Sequence, residues 1–401
     1  MSHHSDDVVL EIEPTKEPIH SVGLPPSKSH LIRWLLMAAQ SEEVVEISGV
    51  DGAALDAFSM KDALKNLGVR IDEKRDYWTV YGVGVNGFSS PPTTLNLHNS
   101  GTAFRLLAFA CLRIGEYVEI SGDSTLERRI DRDFWTGLGV KVEFSSDKQN
   151  LPLQIQGPFC KNNITLDGSK TSQHLSAILL SMPSRDYPLN LTIDGDIVSQ
   201  RHAELSFDIA SLCGSVNRFG NHHLEPWKCV PPNRVEIPMD ASHISFWKLY
   251  EIVHGTSVNI PYVSPDDSIG SEILNGLDLH KKQIVDLSRA NDLITPLAAS
   301  MALGGGGVIF GAGHARHKES NRIEQTAKML SAFSIQVKCT SDGLEIMGGQ
   351  VLCRPKELVQ TFGDHRMQMT ATILATKVGA RIEGAELHRV SFPKFLDYIQ
   401  P

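Results

Sequence analysis

The chain has 401 residues, more than a single hydrophobic core usually organises, so two domains are expected. Its net charge of -9 excludes a general nucleic-acid binder, which needs a basic excess to hold phosphates. Six cysteines (Cys111, Cys160, Cys213, Cys229, Cys339, Cys353) contain no C-x-x-C pair, which excludes a zinc ribbon or a secreted disulfide framework and points to a reducing cytoplasm.

The first seven residues are acidic and lack a basic or apolar leader pattern, so no signal or transit peptide is expected, and His3 and His4 are too few for a metal tract. The longest apolar runs, such as 106–112, fall short of the roughly 20 residues a bilayer crossing needs. Further along, five apolar segments end in glycine: 44–49, 117–122, 189–195, 307–311 and 380–384. Glycines 49, 122 and 195 are spaced by 73 residues, and so are 311 and 384; residues 257–261 form a weaker member. Amphipathic stretches follow, and 63–71 and 136–142 read as a helix, a glycine cap and a strand, with 205–216 and 323–337 echoing them. So long a period predicts several α/β units, each able to bury one sheet face.

Polar clusters open the helix-like runs: Ser27-Lys28-Ser29, Asn99-Ser100-Gly101-Thr102, residues 169–173, residues 240–242, Asn291-Asp292 and Asp364-His365-Arg366. For any one cluster, helix capping is the ordinary explanation. Six at corresponding places also suggest helix N-termini gathered around an anion. The stretch 316–322 (Arg-His-Lys-Glu-Ser-Asn-Arg) stands at a strand-to-helix junction. Three certain cations around one carboxylate suit an anionic substrate that needs one proton-transfer group; a solvated helix start with Glu319 paired to Arg322 is the structural alternative.

Together these residues resemble the enolpyruvyl transferase family. Pro26-Ser27-Lys28-Ser29 with Arg33 is similar to its Gly-Ser-Lys-Ser-x-x-x-Arg opening, and residues 99–105 to its Asn-x-Gly-Thr-x-x-Arg element. Gly122-Asp123 with Arg128-Arg129, Thr171-Ser172-Gln173, Asn291-Asp292, Lys318-Glu319-Ser320-Asn321-Arg322, Asp364-His365-Arg366-Met367 and Ser391-Phe392-Pro393 follow in family order. The resemblance implies an α/β fold of six β-α-β-α-β-β units, three per domain, with the active site in the interdomain cleft. One discontinuous domain would take residues 1–22 and 239–401, and an inserted one 23–238.

The implied reaction carries the enolpyruvyl group of phosphoenolpyruvate to the 5-hydroxyl of shikimate 3-phosphate and releases phosphate. It needs proton transfer and charge stabilisation, and no metal or organic cofactor. By motif match, Lys28, Arg129, Arg322, Arg366 and His365 would hold phosphoenolpyruvate, near Asn99 and Gly101, the latter leaving room for close approach. Thr171, Ser172, Ser199 and Lys318 would hold the acceptor's phosphate, and Ser29, Arg33 and Gln173 its carboxylate and hydroxyls. Asp292 would be the general base and Glu319 the proton donor, with Lys28 and His365 completing the catalytic set. Glyphosate would compete with phosphoenolpyruvate, and a cytoplasmic monomer is expected, with no nucleic-acid or membrane partner.

The sequence departs from the family pattern at Leu31 and Ile32, where small or polar residues are usual, at Leu106 for proline, at Gln200 for arginine, at His314 for asparagine and at Asn321 for aspartate. Leu31, Ile32 and Asn321 motivate a different cyclic hydroxy acid as alternative acceptor. Transfer to UDP-N-acetylglucosamine ranks lower, because segment 122–133 lacks a cysteine and Ser29 follows Lys28. A non-catalytic anion binder would gain nothing from both Asp292 and Glu319.

Overall fold

A computed structural model describes residues 8–146, 149–264 and 270–400; the acidic first seven residues, with His3 and His4, lie outside the described residues. The chain forms two compact units, Met1–Pro25 with Met239–Pro401, and Pro26–Pro238.

One strand pattern recurs in both units. In Pro26–Pro238, strand Leu95–Asn96 runs parallel to Val118–Ser121, which pairs antiparallel with Gln149–Gln156, itself antiparallel to Lys141–Ser146. The same order and sense hold for Arg234–Glu236, Val44–Ser48, Tyr77–Tyr81 and Arg70–Glu73. A shorter version joins Asn163–Asp167, Leu189–Asp194 and His223–Leu224. In the other unit it returns as Gln283–Asp286, Gly307–Phe310, Leu344–Ile346 and Val337–Cys339. There Ala380–Glu383 also pairs antiparallel with Val9–Ile12, while Val359 bridges Ile382 in parallel.

The repeated glycines have a common job. Gly49, Gly195, Gly311 and Gly384 leave their strands at φ between +72° and +74°, a region closed to most side chains. Gly122 fills the same place for a different reason, since a Cβ there would meet Leu126 at 2.4 Å and the His98 carbonyl at 2.6 Å. The phrase at 63–71 becomes helix Leu55–Asn66, Gly68 at φ +93° and strand Arg70–Glu73. Its fainter echo at 323–337 keeps the geometry with Ser334 at φ +66° where the clearer copies have glycine. The weak member at 257–261 makes only an isolated bridge, from Asn259 to Ser21.

Each unit packs its helices over its own core. In Met1–Pro25 with Met239–Pro401, Leu297, Ala298, Met301, Ile323, Leu330, Ile373 and Leu374 are buried together. Helices Ile294–Leu303 and His365–Val378 are buried along almost their whole length, the second despite the polar residues it carries, so both lie in the interior rather than on a wetted face. Their first turns, where backbone N–H groups lack helical partners, carry the polar clusters noted above.

Candidate active site

Capping accounts for some of those clusters. Ser100 Oγ accepts from Ala103 N at 3.3 Å, Asp240 from Ser242 N at 3.0 Å and Asp364 from Arg366 N at 2.9 Å. Ser27 and Ser172 make no side-chain cap; Ser27 Oγ instead meets His30 Nδ1 at 2.8 Å, and Ser172 Oγ donates to the Ser199 carbonyl at 3.3 Å. Ser199 itself holds the left-handed conformation, φ +50°, just before helix Gln200–Leu212.

In the unit Met1–Pro25 with Met239–Pro401, Arg322 is the hub. It is 1% exposed at the start of helix Arg322–Ala332. Its Nε donates to Asp364 Oδ2 at 2.8 Å, Nη1 to Asp292 Oδ1 at 2.6 Å and Nη2 to Glu319 Oε2 at 2.6 Å. Burial opposes its charge, but Asp364, Glu319 and Asp292 outweigh that and push its pKa up. The guanidinium is engaged on every nitrogen, and it joins the expected base to the expected acid. The Glu319–Arg322 pair is therefore present, inside a larger network.

The neighbouring cations are differently placed. Lys318 Nζ lies 4.0 Å from Asp292, and burial lowers its pKa against the pull of Asp292 and Glu319. Arg366 is 1% exposed; its Nη2 donates to Ser242 Oγ at 3.0 Å and to Asp292 Oδ2 at 3.5 Å, while its Nε and Nη1 are buried with no hydrogen-bond partner among the described residues. A guanidinium in that state is set to receive an anion. His365 is buried beside it, with Nδ1 3.9 Å from Asp364 Oδ1.

The unit Pro26–Pro238 carries a second cluster. Lys28 Nζ donates to Asp56 Oδ2 at 2.8 Å. Arg129 donates through Nη2 to the Asn99 carbonyl at 2.6 Å and to Asn99 Oδ1 at 2.9 Å. Arg105 reaches the Gly101 carbonyl at 3.0 Å and Gln173 Oε1 at 2.7 Å, so it links the two helix starts. Gly101 faces these guanidinium groups: a Cβ would lie 2.8 Å from Arg105 Nη1 and 3.1 Å from Arg129 Nη1. Thr171 Oγ1 accepts from Gln173 N at 3.1 Å. Ser29 presents its carbonyl to Arg33 at 2.8 Å.

Arg33 is bonded within its own unit. Buried, with its pKa pushed down to about 10 by burial, it donates to Ser206 Oγ at 2.7 Å, the Ser29 carbonyl and the His202 carbonyl at 3.0 Å. It ties helix Lys28–Gln40 to helix Gln200–Leu212. Sequence reasoning missed Asp56 and the central place of Asp364; the signal for Asp56 was an acidic residue in the first turn of a helix whose next positions are apolar.

The departures have structural causes. Leu31 and Ile32 are 0% and 1% exposed and belong to the core, as does Leu106. Gln200 donates to Glu204 at 2.8 Å. His314 is buried and its pKa falls to about 4, through burial first and Lys318 second. Asn321 caps helix Arg322–Ala332 by accepting from Glu324 N at 3.3 Å. Aspartate would keep that bond and add charge at a helix N-terminus, so Asn321→Asp is expected to leave thermal stability unchanged or raise it by about 0.3–1 kcal/mol in a melting comparison.

Recurring β-α-β-α-β-β sheets in two units, with buried cations and carboxylates gathered at helix starts, define an α/β protein built to handle anionic substrates. The chain belongs to the EPSP synthase (3-phosphoshikimate 1-carboxyvinyltransferase) family, whose model matches residues 13–399. It is 28% identical to the 3-phosphoshikimate 1-carboxyvinyltransferase of Methanothermobacter thermautotrophicus over 96% of each chain. It is 26% identical to that of Streptococcus pyogenes, covering 94% of this chain and 95% of the relative. A solved EPSP synthase from Acinetobacter baumannii superposes with a TM-score of 0.75 at 21% identity, covering 97% of both chains, and shows the same fold.

Proposed function

We propose that the chain transfers the enolpyruvyl group of phosphoenolpyruvate to the 5-hydroxyl of shikimate 3-phosphate, with release of phosphate. The observation that carries this reading is the buried Arg366, with two partnerless nitrogens, beside a hub that joins Asp292 to Glu319 through Arg322. Arg366, His365, Lys28 and Arg129 hold phosphoenolpyruvate. Lys318, Thr171, Ser172 and Ser199 take the acceptor's phosphate, and Ser29 and Gln173 its ring substituents. Asp292 accepts the hydroxyl proton, Glu319 delivers a proton to the methylene carbon, and Arg322 positions both carboxylates. The tetrahedral adduct then gives a proton from its new methyl group back to Glu319 as its bond to the phosphate oxygen breaks, which restores the carbon–carbon double bond and releases phosphate.

Leu31, Ile32 and Asn321, which raised another cyclic acceptor, are explained by packing and capping. The test is phosphate release from phosphoenolpyruvate with shikimate 3-phosphate, beside unphosphorylated shikimate. Release with the phosphorylated acceptor alone supports the reading; release with neither acceptor refutes it.

The same reading makes glyphosate a competitor of phosphoenolpyruvate and the working form a cytoplasmic monomer; among the described residues no helix is long and apolar enough to cross a membrane. Gly101→Ala forces the Arg105 and Arg129 guanidinium ends to shift. Its KM for phosphoenolpyruvate is expected to rise while the KM for the acceptor changes less, as steady-state kinetics with each substrate varied in turn would show.

A further inference from the structure

We propose that a second pocket, in the unit Pro26–Pro238, binds a small aromatic monocarboxylate. Its volume is about 240 Å³. That lies under the roughly 300–1,000 Å³ of drug-sized sites and leaves room for one ring. Phe109, Phe159 and Ile178 supply apolar walls, and Arg113 and Arg185 line it as well.

The charges select the ligand. Arg113 donates to the Ala110 and Val85 carbonyls and to Gln40 Oε1, and Arg185 to the carbonyls of Phe159 at 3.0 Å and Lys161 at 2.7 Å. No carboxylate among the described residues pairs with either guanidinium. The one acidic residue in the lining, Asp186, is exposed, so the pocket carries a net positive charge. Burial pushes Arg113 down to about 10 and lowers Arg185, and a bound anion would offset that cost. Arg185 already stacks on aromatic rings, 5.0 Å from Phe159 and 4.7 Å from Tyr187.

A hydroxyl is also waiting. Ser181 is 6% exposed, and its Oγ is buried in the lining without a partner. A carboxylate oxygen accepts from it at no loss of an internal bond. The site is separate from the clusters described above: it lies at the C-terminal ends of helices Gly101–Cys111 and Gln173–Ser181, whose first residues, Gly101 and Gln173, belong to those clusters. At about 1.5 Å per residue the ends are about 12–15 Å apart.

Cys160, an exposed thiol in the pocket wall, reports occupancy. The experiment is iodoacetamide alkylation of the full chain, resolved by peptide, with the exposed Cys339 and Cys353 as internal controls. Benzoate is expected to slow Cys160 alkylation saturably, about tenfold at ten times its half-protecting concentration, with the two controls unchanged. Benzylamine, the same ring with a cation, is expected to give no protection. Arg185→Gln should abolish protection. Because Arg185 also holds the carbonyls of Tyr187, Phe159 and Lys161, Ser181→Ala provides a second variant that breaks no internal bond and should raise the half-protecting concentration. Equal protection by benzylamine, no saturable protection up to the solubility limit, protection unchanged in both variants, or loss of protection with saturating phosphoenolpyruvate and shikimate 3-phosphate would each overturn the proposal.

Discussion

Arg322→Met is expected to destabilise the chain by about 3–5 kcal/mol, measured as a fall in the urea midpoint at unchanged slope. The arginine is 1% exposed and Asp364 is 0% exposed, so methionine leaves a buried carboxylate without its cation. Ser320 Oγ still donates to Asp364 Oδ2 at 2.9 Å, which softens the loss without replacing the charge. The comparison that isolates burial is Arg316→Ala, earlier in the same stretch but only partly buried. Arg316 pairs with Glu324 at 2.7 Å, with side chains 27% and 50% exposed, and such a pair contributes on the order of 0–1 kcal/mol. If both substitutions cost the same, the three-carboxylate hub is not what organises this region. A double variant, Arg322→Met with Asp364→Asn, should recover part of the loss because the orphaned charge is gone.

Much of this was legible in the sequence, for identifiable reasons. The period of 73 residues reflects a backbone requirement: four strand ends need φ near +73°, glycine meets it at least strain, and the letter therefore recurs while the helices between drift. The copy with Ser334 at φ +66° shows how the signal fades once another residue accepts the same strain. The motif residues were visible as types, but their partners were not. Lys28 meets Asp56 across 28 positions, and Arg322 meets Asp364 across 42. Such pairings are set by how helices pack, which local patterns do not encode. For the same reason the sequence shows Arg33 as a cation but not its bonds to Ser206 and the His202 carbonyl, and shows Leu31 and Ile32 as departures but not their burial in the core.

The second large effect concerns the two carboxylates joined by Arg322. Asp292→Asn and Glu319→Gln are each expected to lower kcat for phosphate release by about 10²–10⁴, the range over which a positioned proton-transfer group acts. Both substitutions preserve shape, and Arg322 keeps Asp364 and the remaining carboxylate, so melting temperatures should move far less than in Arg322→Met. The pH profiles separate the roles. A general base must be deprotonated, so its activity is lost as pH falls through its pKa; a general acid must be protonated, so its activity is lost as pH rises. Asp292→Asn should therefore flatten the acidic limb of kcat, and Glu319→Gln the alkaline limb. The reverse pattern would exchange the two assignments while leaving the hub intact. Two unchanged profiles with unchanged kcat would show that these carboxylates only balance the charge of Arg322, and the chemistry would have to be sought in the cluster of the other unit, around Lys28 and Asp56.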